Sequence, residues 1–483
     1  MNAAYKNIMK AMALFGSVQG LNIGLNLVRT KLVAMFLGPA GVGLSAIYNE
    51  TKELIHESTN MGMDQSGVRE ISVAYEKWQE TGERDSLDNT IMLVRSWVAL
   101  FAIVGILVCF LFAYPLSIST FGNSEHVVSY MLLAPAVGMA TITCGEMAIL
   151  KATRQLKDIA SLSTINIALG FVTNIPLYYL YGIKGILPAI LFFSVCQMFI
   201  ATRISYRNFP IRLCFKKIFL AIGKPMLLLG GAFVLQGFLE HGTKLAIQAF
   251  INMHGNISEV GLYSSATMII SIFLGVFASS IAVDFYPRLS GVFADEEKRA
   301  LAVQRQIDVL QLFTAPSLVA FLISLDIIIP VMLSSEFDGV IPILQIALAT
   351  CLTRSISQPM AFIPLAAGDS KMFLFVDIVG FALMYSIYTT CYSLYGFIGI
   401  AYGICIYNFL SLIWVVSCMK LKYNISPNPR NLIFFLFQTI ILAIASYSTG
   451  LEYGIAYWSL GALLTVISSG GSYLLLTKIR HEQ

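Results

Sequence analysis

Glu50, Lys52, Glu53, His56 and Glu57 fall inside a stretch, 40 to 63, that is long enough to be a membrane helix. At about 100° per residue they share one arc of about 160° with Asn49, Asn60 and Asp64, while Ile47, Leu54, Ile55 and Met61 fill the remainder. Acids and bases on one helix face can do two kinds of chemistry. Lysine holds phosphate through charge-assisted hydrogen bonds, and carboxylates or histidine take up and release a cation. For Glu50, Glu53 and Glu57 both readings stand: they neutralise Lys52 and His56, or, with His56, they couple movement to a proton or sodium gradient.

Three further apolar stretches carry polar groups. In 10 to 37, Gln19, Asn22, Asn26 and Arg29 form a stripe at spacings of 3, 4 and 3; in 225 to 251, Glu240, His241, Lys244 and Gln248 cluster; in 340 to 367, Gln345, Thr353, Arg354 and Ser357 do the same, with Arg354 near the midplane. A charge at the centre of a membrane helix costs about 2.5 to 3.5 kcal/mol on insertion scales, so such residues face a bundle interior or a wet cavity. The stripes are therefore expected to converge on a mixed, net-basic cavity. Lys31 lies about 180° from the Asn22 stripe and close to the outer end of its helix, so snorkelling and cavity contact are both open. Glu146, Asp284 and Asp377 are expected at the cytoplasmic interface, and Asp326 at the outer one. Such a cavity suits a phosphate-linked sugar on a lipid; a hydrophobic organic cation would match the glutamates of 40 to 63 but not the buried Lys and Arg.

The elements that position these residues follow from composition. The chain of 483 residues is 57% hydrophobic and 12% charged, with a mean hydropathy of +0.76, which marks an all-α polytopic membrane protein. Apolar stretches of roughly 20 residues number about fourteen, the last two at 431 to 449 and 454 to 477. Five of the 31 Lys and Arg lie within spans, Lys184 alone lies on one side, and the remaining 25 lie on the other. Basic residues gather in cytoplasmic loops, so both termini are placed inside. Net charge of +4 is thus a topology signal, and no nucleic acid is implied. The cysteines form no Cys-x-x-Cys pair, which gives neither a disulfide framework nor a zinc site; no motif calls for a cofactor. Short outer connections leave no room for a catalytic domain, against a glycosyltransferase or polymerase.

Within this pattern Thr30-Lys31-Leu32 recurs as Thr243-Lys244-Leu245, Tyr181-Gly182-Ile183-Lys184-Gly185-Ile186 as Tyr395-Gly396-Phe397-Ile398-Gly399-Ile400, and Lys157 maps onto Lys371. Matches in order at a near-constant offset indicate a duplication. The expected organisation is a lobe of six helices at 1–208, a second at 209–420 related by a parallel pseudo-two-fold axis, and two extra helices in 421–483.

The run Thr30 to Leu44, in which Lys31 and apolar residues lead into Gly38-Pro39-Ala40-Gly41-Val42-Gly43, resembles the first helix and turn of polysaccharide-transport flippases. These are a branch of the multidrug/oligosaccharidyl-lipid/polysaccharide exporter superfamily, and the likeness is greatest to the O-antigen and enterobacterial common antigen types. Ser258 to Tyr263 resembles the corresponding turn of the second lobe. The resemblance implies alternating access that moves an undecaprenyl-pyrophosphate-linked oligosaccharide from the inner to the outer leaflet of a bacterial inner membrane. It implies substrate contacts from Lys31 and Lys244, with Arg29, Lys52 and Arg354 as further candidates; the polar stripes themselves add Asn22, Asn26 and His241 as substrate contacts and Glu50, Glu53, His56, Glu57 and Glu240 as candidates for ion coupling. Membrane lipids and polysaccharide polymerase machinery are the other partners it suggests. A cation-coupled multidrug exporter of the same superfamily is the alternative. In the related lipid II flippases two additional helices accommodate the lipid tail, the role this likeness suggests for the last two helices.

Overall fold

The computed structural model describes residues 3–82, 84–213, 218–280, 285–448 and 454–481, without the side chains of 3–23, 156, 218–229, 232, 276–280, 287, 476 and 478–481. Every described element is helical, as expected of a chain that must satisfy its backbone polar groups internally in lipid. It falls into two compact units, one of Met1–Met253 with Met332–Ser334, the other of His254–Val331 with Ser335–Gln483.

The first unit contains α1 (Ala3–Thr59), α2 (Met63–Thr81), α3 (Arg84–Phe121), α4 (Val127–Ala152), α5 (Leu156–Tyr181), α6 (Ile186–Asn208) and α7 (Ile218–His254). The second contains α8 (Ile257–Ser280), α9 (Tyr286–Val292), α10 (Glu296–Ile323), α11 (Leu325–Met332), α12 (Val340–Thr350), α13 (Arg354–Ala361), α14 (Ile363–Ala366), α15 (Ser370–Tyr395), α16 (Gly399–Tyr423), α17 (Pro429–Ser448) and α18 (Ile455–His481). Among the described residues, ten helical runs are long and apolar enough to cross a membrane, three of them 36, 52 and 54 residues long. The sequence reads each of these three as two spans, and each is interrupted at a glycine.

In α1 the interruption is Gly38, at φ 59 and ψ −177, a region essentially reserved for glycine. Pro39 follows it, withholding an amide hydrogen and excluding helical geometry from the residue before. The first arm ends there, and the polar residues of the second start on a new axis. In the other two runs α5 stops at Gly182 (φ 53, ψ −132) and α15 at Gly396 (φ 64, ψ −150). Each is followed by a 3-10 turn and the next helix. Gly185 and Gly399 close these turns, since a Cβ on either would overlap a carbonyl of the preceding helix, Leu177 or Cys391. The repeated Tyr-Gly motif thus encodes the same hairpin in both units.

Polar locks hold each unit. Arg95 in α3 and Glu146 in α4 form a buried two-pronged pair, Nε to Oε1 and Nη2 to Oε2 both 2.9 Å, at 5% and 3% exposure. Arg95 Nη1 also donates to the carbonyls of Phe209 and Pro210 at 2.8 and 2.9 Å, closing the end of α6. Glu146, expected at an interface, is instead internal, because a guanidinium with several acceptors offsets its desolvation. In the second unit Arg430 of α17 reaches Asp308 of α10 at 2.8 Å, Tyr457 of α18 donates to the Ile323 carbonyl at 2.7 Å, and Ser468 of α18 donates to Gln438 of α17 at 2.7 Å. The last two helices are fastened to α10 and to each other.

Substituting Glu146→Gln strands the Arg95 charge in the protein interior. Loss of one member of a buried pair costs about 3–5 kcal/mol, so thermal unfolding of the purified protein is expected at a clearly lower temperature; an unchanged midpoint would refute the role of this lock.

Candidate functional site

The second arm of α1 runs antiparallel to α7, and glycines let the two approach closely. A Cβ on Gly237 would lie 2.8 Å from Glu57 Cβ, and one on Gly230 would overlap the Met61 carbonyl beside Gly62. Small residues at helix contacts in membranes serve this purpose. The close approach brings the acids of α1 within reach of the polar residues of α7.

Glu50 Oε2 accepts from His241 Nδ1 at 2.9 Å. Lys244 Nζ donates to Glu240 Oε1 at 2.7 Å, one helical turn away on α7. Lys52 Nζ meets Glu53 Oε1 at 2.9 Å. His56 is nearly sealed from solvent, with Nδ1 3.0 Å from Thr141 Oγ1 on α4 and Nε2 3.9 Å from Glu57 Oε1. The Thr141 hydroxyl already donates to the Val137 carbonyl at 3.1 Å, so it can only accept from His56. With the hydroxyl proton on the Val137 carbonyl, the neutral form of His56 carries its proton on Nδ1 and turns the Nε2 lone pair toward Glu57. Four glutamates gather here with two lysines and two histidines, so carboxylates outnumber lysines where a net-basic cavity was expected, and each lysine is held by a carboxylate.

The remaining residues of the first arm take other positions. Arg29 lies against α5, where a Cβ on Gly170 would come 2.6 Å from its Nη1. Asn26 and Lys31 are half-buried. The side chain of Asn22 lies outside the described residues, as does Asp284.

Arg354 belongs to the second unit. The helix carrying it is interrupted by a 3-10 turn at Cys351–Thr353, and the tighter winding sets Arg354 at the start of α13. It lines a cavity of about 170 Å³ with Asp377 of α15 and Tyr407, Asn408, Ser411 and Trp414 of α16. Among the described residues its guanidinium makes no hydrogen bond or ion pair. Asn408 is oriented by donating to Thr350 Oγ1 at 3.0 Å, and the Trp414 indole by donating to the Val376 carbonyl at 3.3 Å. Asp377, expected at the cytoplasmic interface, is part of this lining. The signal was present in the sequence: Asp377, Gly380 and Phe381, and Tyr407, Asn408, Ser411 and Trp414, follow helical spacing. A cation, a carboxylate, amides, hydroxyls and an indole around one cavity can hold a sugar bearing acidic or hydroxyl groups.

Comparison with known proteins bears on what these two clusters serve. The family described as polysaccharide biosynthesis protein matches residues 32–342. No curated protein sequence matches the chain significantly. Among solved structures, the lipid II flippase MurJ in an inward closed conformation is 15% identical, with a TM-score of 0.72 over 96% of this chain and 100% of its own. An inward-facing multidrug resistance MATE family transporter of the MOP superfamily is 14% identical, with a TM-score of 0.61 over 88% of this chain and 95% of its own. A MOP superfamily transporter from Pyrococcus furiosus, whose binding pocket is described as reversed in polarity, is 15% identical, with a TM-score of 0.55 over 84% and 93%. The chain has the fold of this superfamily and is a multi-pass membrane protein.

The glycine contact gives a direct check. Gly230→Ala forces α7 off Met61 and is expected to destabilise the protein by about 1–3 kcal/mol, the usual cost of overpacking. Gly231→Ala, whose Cβ meets nothing within 4 Å, is expected to leave the unfolding temperature unchanged; equal losses in the two variants would contradict the packing described.

Proposed function

The chain belongs to the polysaccharide biosynthesis protein family, and from that premise we propose that it is a flippase for an undecaprenyl-pyrophosphate-linked oligosaccharide, an O-antigen or related repeat unit. It would carry this lipid from the cytoplasmic to the outer leaflet of a bacterial inner membrane by alternating access. The observation that carries the reading is the pairing of each lysine of the α1–α7 cluster with a glutamate. In that state Lys244 and Lys52 are occupied, and a phosphate must displace Glu240 or Glu53 to reach them. Protonation of those carboxylates releases the lysines, so proton and anion bind with positive coupling, and each raises the affinity of the other. His56 Nε2, facing Glu57 from a dry pocket, supplies an internal proton acceptor. The Arg354 cavity offers the hydroxyl- and acid-binding groups a saccharide requires. Arg29 and Lys31 complete the set of candidate anion contacts.

One observation favours a second reading. The excess of glutamate over lysine in the α1–α7 cluster suits an organic cation exchanged for protons, as in a multidrug exporter. Resistance to cationic dyes in cells stripped of their own exporters separates the two, because a glycan flippase confers none.

A charged hydrogen bond to phosphate contributes about 1.5–3 kcal/mol, so Lys244→Ala and Arg354→Ala should each lower substrate affinity by roughly 10- to 100-fold. Their combination with Lys31→Ala is expected to abolish surface glycan while folded protein persists in the membrane. Normal glycan export by the triple variant would end the proposal. For the coupling, Glu240→Gln with Glu53→Gln should flatten the pH dependence of substrate binding and remove the dependence of export on the gradient. Export in the native protein that persists after the proton and sodium gradients are collapsed would exclude it.

A further inference from the structure

A second basic cavity lies in the first unit, away from the α1–α7 cluster, where the ends of α2, α3, α4, α5 and α6 meet. It encloses about 750 Å³, and Arg84, Arg154, Lys157 and Arg207 line it against one carboxylate, Asp158. Lys157 and Arg207 form no ion pair or hydrogen bond among the described residues. Arg154 is held by Glu76 at 2.8 Å, but both side chains of that pair are largely in solvent, where such pairs contribute little. Arg84 is fixed by donating to the Asn208 carbonyl at 3.0 Å and stands 3.5 Å from Asp88, which is outside the lining.

The floor is built rather than incidental. Asn208 donates to Gln155 at 2.9 Å, and Gln155 donates to Thr153 Oγ1 at 3.0 Å, a chain of side chains joining the ends of α6 and α5. Arg154 adopts φ 55, a left-handed conformation that favours glycine or asparagine. The turn is held by amide bonds from Arg154 to the Lys151 carbonyl at 3.1 Å and from Gln155 to the Leu150 carbonyl at 3.0 Å. A long side chain is thereby kept at a position where a small one would suit the backbone better. The cavity also receives the first turn of α5, a helix of 26 residues whose N-cap makes no side-chain bond, so its amides add positive potential. Tyr75 and Trp78, packed edge to face at 5.5 Å, wall the cavity with the residue types that sit at the headgroup level of a bilayer.

We infer that this cavity binds the phosphate of a membrane lipid headgroup, on the face that the charge pattern assigns to the cytoplasm. The cations supply charge-assisted bonds to phosphate oxygens, the Asn208 amide supplies a neutral one, and the aromatic pair rests against the glycerol or first prenyl segment. The chemistry is shared by an anionic phospholipid and by a polyprenyl pyrophosphate, and the site does not rest on the flippase reading, because its test reads lipid binding and not export.

The full-length protein in phosphatidylcholine nanodiscs is titrated with phosphatidylglycerol in one arm and undecaprenyl pyrophosphate in the other, and bound lipid is counted by native mass spectrometry. The variant R154Q/K157Q/R207Q should lose at least tenfold in affinity for the lipid that binds, with an unchanged melting temperature. Glu76→Gln, which frees Arg154, should gain two- to fivefold and guards against a folding artefact in the triple variant. Tenfold preference for the pyrophosphate identifies a loading site for the lipid carrier, and equal binding of both identifies a general anionic-lipid site; either supports the inference. Binding of both lipids to the triple variant as tightly as to the native protein would overturn it, as would absence of saturable binding in both arms.

Discussion

Every charge placed in lipid must be paired or wet, and the architecture is organised around that requirement. Arg95 and Glu146 are paired to the full extent: two contacts of 2.9 Å between the partners and further acceptors at the end of α6. The α1–α7 cluster is paired less completely, with Lys244 and Glu240 both more than a third exposed. The Arg354 guanidinium instead faces a cavity. The series runs from a buried lock, through partly exposed pairs, to a guanidinium that lines a cavity. The degree of charge satisfaction thus differs from site to site, and a saturated pair has the least left to offer a ligand.

The histidines show the same gradation. His56 is oriented by a threonine hydroxyl that has already committed its own proton, so its tautomer is set by a third residue, the Val137 carbonyl. His241 is oriented by a carboxylate. One ring stands between a hydroxyl and Glu57, and the other is bound to a carboxylate. Two histidines of similar sequence setting thus have different proton chemistry, decided by what lies on α4 and α1.

Local features were legible in the sequence. The Gly38-Pro39 break, the Tyr-Gly hairpins and the spacing of four between Glu240 and Lys244 all depend on neighbours along the chain, and the residue types alone specify them. The polar face of α1 was legible for the same reason, since helical phase is a local property. The polarity of the cluster was not, because phase tells which residues share a face and not which partner on another helix meets them. Glu50 and His241 are far apart in sequence, and nothing in either segment announces their contact. Glu146 was read as interfacial because its position near a span end was visible, whereas Arg95 beside it was not. For Asp377 the helical spacing with Gly380 and Phe381 was available, but the cavity wall formed by α16 appears only when α15 and α16 are packed together.

The seam between α1 and α7 has a consequence for how the contact can change. Where side chains interlock, a small displacement is absorbed by rotamer adjustments, and the energy rises gradually. At Gly230, Gly62 and Gly237 backbone meets backbone or the first carbon of a side chain, and no torsion is available to take up a shift. Such a seam is engaged or disengaged with few intermediate positions, in the manner of a snap fastener. The glutamates and lysines that flank it sit on these two helices, so a rearrangement of the seam would carry them with it.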